Sequence, residues 1–421
     1  MSPEQRAVLR NRDFRRFWTA ITVARAGAHV TVLALPLTAV TLLGADSVQL
    51  GLLTTVQLLP MLVVTPLAGV ITDVYAARVV NSLCDLVRGV LLLGVPLLAA
   101  LDSLGMGWLY ILSACVGVLK AVADIAHHSM LPRLVPPEQV VAGNAAVNAS
   151  YSVTDVAGPG IGGLLVQAVT APYAIVLDAI GFLVSGGLIA TLKADDSGHR
   201  AARERWSVMV GDGFRFLVRS KPLLMLGISG GVANIFIQAY LTIFVLFAVD
   251  TLGFSPVKIG ALYAVGAVGG VVGAAFAGRL GERFSKVGAM VGGNVTVGAG
   301  MGLIAAAGAL DGGVVRPVCA TAGIWLYSMG LGVYNVHSMS ARQQLCPPDK
   351  LGRITAGYRL LSHGSLPLGA LAGGYCARWA GQTTTIALAG AGLVLWMGIA
   401  MATPFRRLDA EQAAAKVAPA A

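Results

Sequence analysis

Apolar runs of about 20 residues recur from one end of the chain to the other, each long enough to cross a hydrocarbon core of roughly 30 Å as a helix. Lipid offers backbone amides no water to bond to, so a chain patterned this way folds as helices that satisfy their own peptide groups. The runs lie near residues 15–43, 48–71, 79–101, 107–130, 140–169, 171–192, 222–249, 256–281, 286–310, 314–340, 354–377 and 382–404. They predict an all-α polytopic membrane protein with about 12 transmembrane helices. Composition agrees, with only 12% charged residues against roughly 25% in a soluble domain. The first run follows "RAVLRNRDFRRFW". It is too long for a removed secretory signal and lacks a small-residue cleavage site, so it reads as the first transmembrane helix.

The net charge of +10 raises the question of nucleic acid, and the distribution of charge answers it. With the N-terminus inside, 24 of the 30 Lys and Arg fall in cytoplasmic segments. The outside loops hold Lys258, Arg316 and Arg378, and Arg25, Arg88 and Lys120 lie within spans. This follows the positive-inside rule, so the basic balance encodes topology, with both termini cytoplasmic. The expected location is the inner (cytoplasmic) membrane, and no nucleic-acid partner is implied. The five cysteines have no CxxC pairing and read as small packing residues. No metal site is expected.

Between Lys193 and Lys221 the chain turns polar. Trp206, Met209, Val210, Phe214, Phe216 and Leu217 form an amphipathic stretch there that suits a membrane surface. The expected domains are therefore a first six-helix bundle at 1–193, a cytoplasmic linker at 194–220, a second six-helix bundle at 221–405 and a tail at 406–421. The halves repeat at an offset of roughly 209 to 211. Gly69 with Asp73 falls on Gly278 with Glu282, "PPEQVVAGNA" on "PPDKLGRITA", and "GPGIGG" from Gly158 on "GALAGG" from Gly369. A parallel repeat of this kind describes a transporter of two pseudo-symmetric six-helix bundles, with a path between them.

These motifs carry a family resemblance. The chain resembles the major facilitator superfamily over essentially its whole length. "GVITDVYAAR" and its counterpart "GRLGERFSK" are similar to the superfamily's GxxxDRxGRR loop motif, and "GPGIGG" to the fifth-helix motif of drug and proton antiporters. "LPRLVPPEQVVAGNAAVN" and "PPDKLGRI" resemble the branch of macrolide efflux pumps and the enterobactin exporter, and "VAR" around Arg25 resembles the latter. Val74, Ala76 and Ala77 depart from the loop motif and leave only Asp73 and Arg78 of its charged set. The resemblance implies a gating role for Gly69, Asp73 and Arg78 and for Gly278, Glu282 and Arg283. Their ion pairs would hold the outward-facing state, with helix-end capping as the alternative.

Charges inside the spans point to mechanism, because an ionisable side chain at membrane depth is costly and faces a partner or a water cavity. The first half holds Arg25, Lys120, Asp124 and Asp155, and the repeat positions hold Asn234, Leu331, Asn335 and Leu366. Lys120 and Asp124, spaced i and i+4, share a helical face. Proton coupling is therefore placed in the first bundle, with Asp155 or Asp124 as carrier and Arg25 and Lys120 as modulating charges. A static ion-pair brace is the competing reading. His127 and His128 are candidate relays, or interface residues in contact with water. Asp85, Arg88 and Asp178 lie on helices that the resemblance makes peripheral, and read as structural.

The second half offers a neutral wall for substrate: Asn234, Gln238, Tyr240, Trp325, Tyr327, Tyr334 and Asn335, aromatics and amides that suit a bulky, partly apolar ligand. Core packing serves any one of them equally well. Gly158, Gly162 and Gly163 form a close-packing surface on the fifth span, and Pro159, with no counterpart in the second half, is expected to bend it. No GxxxxGK[ST], GxSxG or spaced His and Cys cluster suggests an enzyme or an ATP-driven pump. The expectation is a monomeric, cofactor-free exporter of amphipathic drugs or a siderophore, driven by the proton gradient. A nutrient importer of the same fold and a non-transporting scaffold or receptor are the alternatives.

Overall fold

The computed structural model describes residues 8–193, 215–310, 313–346 and 351–402. Side chains at 63, 65–74, 125, 128, 129, 351–353 and 356 lie outside the described set. The first half runs α1 (Arg12–Leu37), α2 (Ser47–Val74), α3 (Ala77–Ala100), α4 (Met106–Leu134), α5 (Val140–Val169) and α6 (Ala171–Ala190). The second runs α7 (Lys221–Asp250), α8 (Pro256–Phe284), α9 (Lys286–Gly308), α10 (Val315–Leu345), α11 (Leu351–His363), α12 (Leu366–Ala380) and α13 (Gln382–Met401). The eleventh predicted span is thus two helices, interrupted at Gly364 and Ser365, with Pro367 in the first turn of α12, where its missing N–H breaks no rung of the ladder. Among the described residues, eight helices are long and apolar enough to cross a membrane by composition alone. The spans that miss that mark include α5, α10 and the broken eleventh. Their polar side chains and small residues dilute the apolar pattern.

Local sequence sets the ends of the elements. Asn11 caps α1, its side-chain oxygen accepting from the backbone N–H of Asp13 at 3.0 Å and of Phe14 at 3.1 Å. Its amide donates to Leu134 O at 2.9 Å and so ties the start of α1 to the end of α4. Past Pro36, which lies inside the helix, the first span widens into a π-helical turn, Thr38–Leu42. α5 continues unbroken through Pro159 to Val169. Thr170 then joins α5 to α6 at φ 69°, ψ 162°, and Gly381 joins α12 to α13 at φ 83°, ψ 160°. The same turn recurs at the repeat spacing, but in the first half a β-branched residue holds a conformation that glycine adopts freely.

The chain forms two compact units: residues 1–45, 56–203 and 254–264, and residues 46–55, 204–253 and 265–421. In the first unit α1 packs on α5 and α6, and α3 on α4 and α6. Its core includes Phe14, Phe17, Ile21, Val80, Met130 and Ile189. In the second unit α7 packs on α11, α12 and α13, and α9 on α10 and α13. Leu217, expected at a membrane surface, is fully buried in this unit's core beside Leu223, Leu226 and Met290. Burying an apolar side chain among other helices leaves it no surface role. Trp206, Met209, Val210 and Phe214 lie outside the described residues.

Glycines set the closest helix contacts, and they repeat. A Cβ on Gly158 would sit 2.7 Å from His29 Cβ, and one on Gly162 3.2 Å from Val30 Cα, so α5 meets α1 backbone to side chain. Gly163 faces Gly260 in the first unit, where a Cβ would lie 3.0 Å from Gly260 Cα. Gly374 faces Gly51 in the second, at 3.1 Å by the same measure. Gly51 and Gly260 are themselves repeat-related, so the same glycine-to-glycine contact is built twice.

Candidate functional site

The densest polar constellation in the first unit centres on Asp155 of α5. Arg25 of α1 grips it with both arms of its guanidinium, Nε to Oδ1 at 3.0 Å and Nη2 to Oδ2 at 3.1 Å. His29, one turn further along α1, reaches Oδ1 with Nε2 at 2.8 Å. A carboxylate can only accept, so His29 donates. Gly158, one turn beyond Asp155 on α5, leaves the space the imidazole occupies. Arg25 also lies over the ring of Tyr151, 4.2 Å from its centroid, and Tyr151 Oη meets His127 Nε2 at 3.2 Å. His127 in turn stacks on Phe17 at 5.2 Å. One connected chain therefore runs Asp155, Arg25 and His29, Tyr151, His127. The Arg25 and Asp155 side chains are 39% and 43% exposed, enough for water to reach them.

Lys120 and Asp124 pair on α4 at 2.8 Å, as their spacing predicts, and are more than half exposed. Deeper, Asp85 of α3 accepts from Ser185 Oγ of α6 at 2.7 Å and sits 3.5 Å from Arg88, whose guanidinium stacks on Phe182 at 3.8 Å. Asp178 of α6 is 2% exposed, and a Cβ on Gly27 of α1 would lie 2.8 Å from its Cα and Oδ1. A cavity of about 170 Å³ in the first unit brings Arg25, Lys120, Asp124 and His127 together with Asp85 and Arg88. The charges of α3 thus share one cavity with the residues of α1 and α4.

The predicted substrate wall is largely engaged inside the second unit. Asn234 Nδ2 donates to Ser362 O at 2.7 Å, and Gln238 Nε2 to Thr242 Oγ1 at 3.2 Å. Tyr240 is fully buried between Phe244 and Tyr327, with ring centroids at 5.3 and 5.0 Å, and Tyr334 is buried too. Asn335 is exposed, and Trp325 lines an apolar recess of about 650 Å³ with Val265, Pro317, Val318 and Thr321. Of the gating residues, Arg78 Nη1 donates to Leu192 O at 2.6 Å and holds the end of α6. Glu282 and Arg283 are exposed and form no ion pair with each other among the described residues. A Cβ on Gly278 would meet open space. The side chains of Asp73 and His128, like Gly69, lie outside the described residues. The five cysteines are free, and no His, Cys, Asp or Glu cluster that could hold a metal occurs among the described residues.

An all-α chain of membrane-length helices in two repeated halves, with ionisable side chains paired inside one half, defines a polytopic membrane transporter. The chain belongs to the Major Facilitator Superfamily, whose sequence model matches residues 17–370. It is 28% identical over 382 residues to the multidrug efflux pump Tap of Mycobacterium tuberculosis (strain ATCC 25618 / H37Rv), covering 88% of each chain. The multidrug efflux pump Tap of Mycolicibacterium fortuitum is 24% identical over 400 residues, covering 93% of this chain and 95% of that one. The nucleoside transporter NupG superposes with a TM-score of 0.74 at 12% identity, over 97% of this chain and 100% of that one. A bacterial homologue of the iron transporter ferroportin in an inward-facing state does so at 0.68 and 17%, over 91% and 98%. At such identities the structures speak for the fold alone.

Sequence reasoning missed His29 and Tyr151. Both carried a signal: His29 stands four residues after Arg25 and Tyr151 four before Asp155, so each shares a helical face with a residue already singled out.

Proposed function

We propose that this chain exports amphipathic small molecules of the drug class across the cytoplasmic membrane in exchange for protons, by alternating access. Its termini are cytoplasmic, and it works as a monomer with the proton gradient in place of any cofactor. The observation that carries the reading is the Arg25–Asp155–His29 cluster. Asp155 has one partner of fixed charge, Arg25, and one imidazole, His29, the side-chain type suited to taking up and giving back a proton. A proton delivered to the His29–Asp155 pair weakens the hold of Asp155 on Arg25 and frees α1 from α5. Loss of that proton restores the bidentate grip. Tyr151 and His127 extend the polar chain towards the end of α4. The Tap relatives support the drug class, and the apolar recess at Trp325 gives a bulky ligand an apolar wall. Siderophore export uses the same architecture and enters the test as a second compound class.

The test uses inverted membrane vesicles from a strain lacking its own drug pumps. Drug accumulation driven by an acid interior should appear with the wild-type chain, collapse with a protonophore, and vanish for Asp155→Asn. Accumulation that survives the protonophore, or that runs in right-side-out vesicles instead, overturns the reading in favour of another energy source or an importer.

A further inference from the structure

The start of α1 carries a basic recess that the transport cycle does not use. Arg12, Arg15, Arg16 and Thr19 fall at i, i+3, i+4 and i+7 on one helical face. With Trp18 and Leu188 of α6 they line a cavity of about 300 Å³, at the low end of the roughly 300–1,000 Å³ typical of small-molecule sites. Arg16 is held in place: Nη1 donates to Thr191 O at 3.2 Å and lies 3.7 Å from Asp13. Trp18 is held as well, its indole N–H donating to Ser150 Oγ at 2.8 Å. Arg12 and Arg15 are exposed, and their side chains have no hydrogen-bond or ion-pair partner among the described residues. Among the described residues, three guanidiniums with one neighbouring acid leave the recess with a surplus of positive charge and unused donors.

The apolar side of the recess identifies the occupant. Tyr173, Leu177, Ile180 and Val184 of α6, each 42 to 48% exposed, form a helical stripe that ends at Leu188 in the recess. An exposed apolar stripe on a membrane helix is an acyl-chain path, and tryptophan is a residue type enriched where membranes meet water. We infer that the recess is a binding site for an anionic phospholipid. The phosphodiester sits between Arg12, Arg15 and Arg16, and an acyl chain lies along the α6 stripe. Guanidinium forks match phosphate oxygens in pairs, and each basic side chain at the surface adds about 1 kcal/mol of attraction to anionic lipid.

The full-length purified protein tests this by native mass spectrometry in detergent, with phosphatidylglycerol, phosphatidylcholine or inorganic phosphate added. The variant is Arg12→Gln with Arg15→Gln, both exposed. The control is Arg133→Gln with Arg219→Gln, which removes the same charge elsewhere. The expected result is one retained phosphatidylglycerol whose affinity falls about thirtyfold in the first variant, two charges' worth, and is kept in the control. Phosphatidylcholine should bind weakly throughout. Equal retention of both lipids, equal loss in both variants, or inorganic phosphate alone displacing the lipid would overturn the assignment.

Discussion

Asp155 has more donors than any other acid described in the membrane spans: a guanidinium fork and an imidazole converge on one carboxylate that water can reach. Replacing it with Asn keeps its shape and removes the charge. Because Arg25 is itself partly exposed, the cost in stability should stay within about 1 kcal/mol, while proton-driven transport is lost. Thermal midpoint and vesicle transport, measured on the same Asp155→Asn preparation, separate this from a static brace, which would lose stability before coupling. Asp85 and Arg88 behave oppositely, since both are buried. Asp85→Ala leaves a buried guanidinium without its acid and Ser185 without its acceptor, so it should cost roughly 3 to 5 kcal/mol, whereas Asp85→Leu with Arg88→Met should recover most of that. Chemical denaturation of the three proteins checks it, and equal loss in single and double variants would contradict the pairing. Sequence alone singled out Arg25, Lys120, Asp124 and Asp155 because a charge in an apolar run stands out. The partners were less visible. Lys120–Asp124 could be read from spacing, but Arg25–Asp155 joins helices 130 residues apart, and only packing brings them together.

At the scale of helices, the repeat explains much of what the sequence made legible. The glycine motif of α5 and its copy in α12 were visible as a pattern, and their packing partners Gly260 and Gly51 were not, because a glycine in an apolar helix carries no mark of what it faces. Gly158 joins scaffold to site. A Cβ there meets the imidazole of His29, so Gly158→Ala should push His29 off Asp155 and cost about 1 to 3 kcal/mol as an overpacked contact. Gly187→Ala, with open space around it, should be neutral. A melting midpoint unchanged by Gly158→Ala would argue against so close a contact between α5 and α1. The turn at Thr170 offers the reverse case. Glycine relieves a backbone conformation that a β-branched residue holds at roughly 1 to 3 kcal/mol, so Thr170→Gly should raise the midpoint, as Gly381 in the repeated turn suggests. The π turn at Thr38–Leu42 and the break between α11 and α12 escaped the apolar pattern, which reports length and not continuity.

For the molecule as a whole, hydropathy was enough to show an all-α membrane protein, while the two compact units depart from the expected halves, with residues 46–55 in the second and 254–264 in the first. What hydropathy left open is how the charge is used, and that turns on one asymmetry: the first half carries Arg25 and Asp155 where the second carries Asn234 and Leu366. In the function proposed above, a proton at the His29–Asp155 pair drives the cycle. The most direct test is proton release on substrate binding by the purified protein in weakly buffered detergent. A drug transported in vesicles should release protons from the wild-type chain and none from Asp155→Asn, with His29→Gln shifting the pH at which release is half complete. Release that persists undiminished in Asp155→Asn would contradict the account.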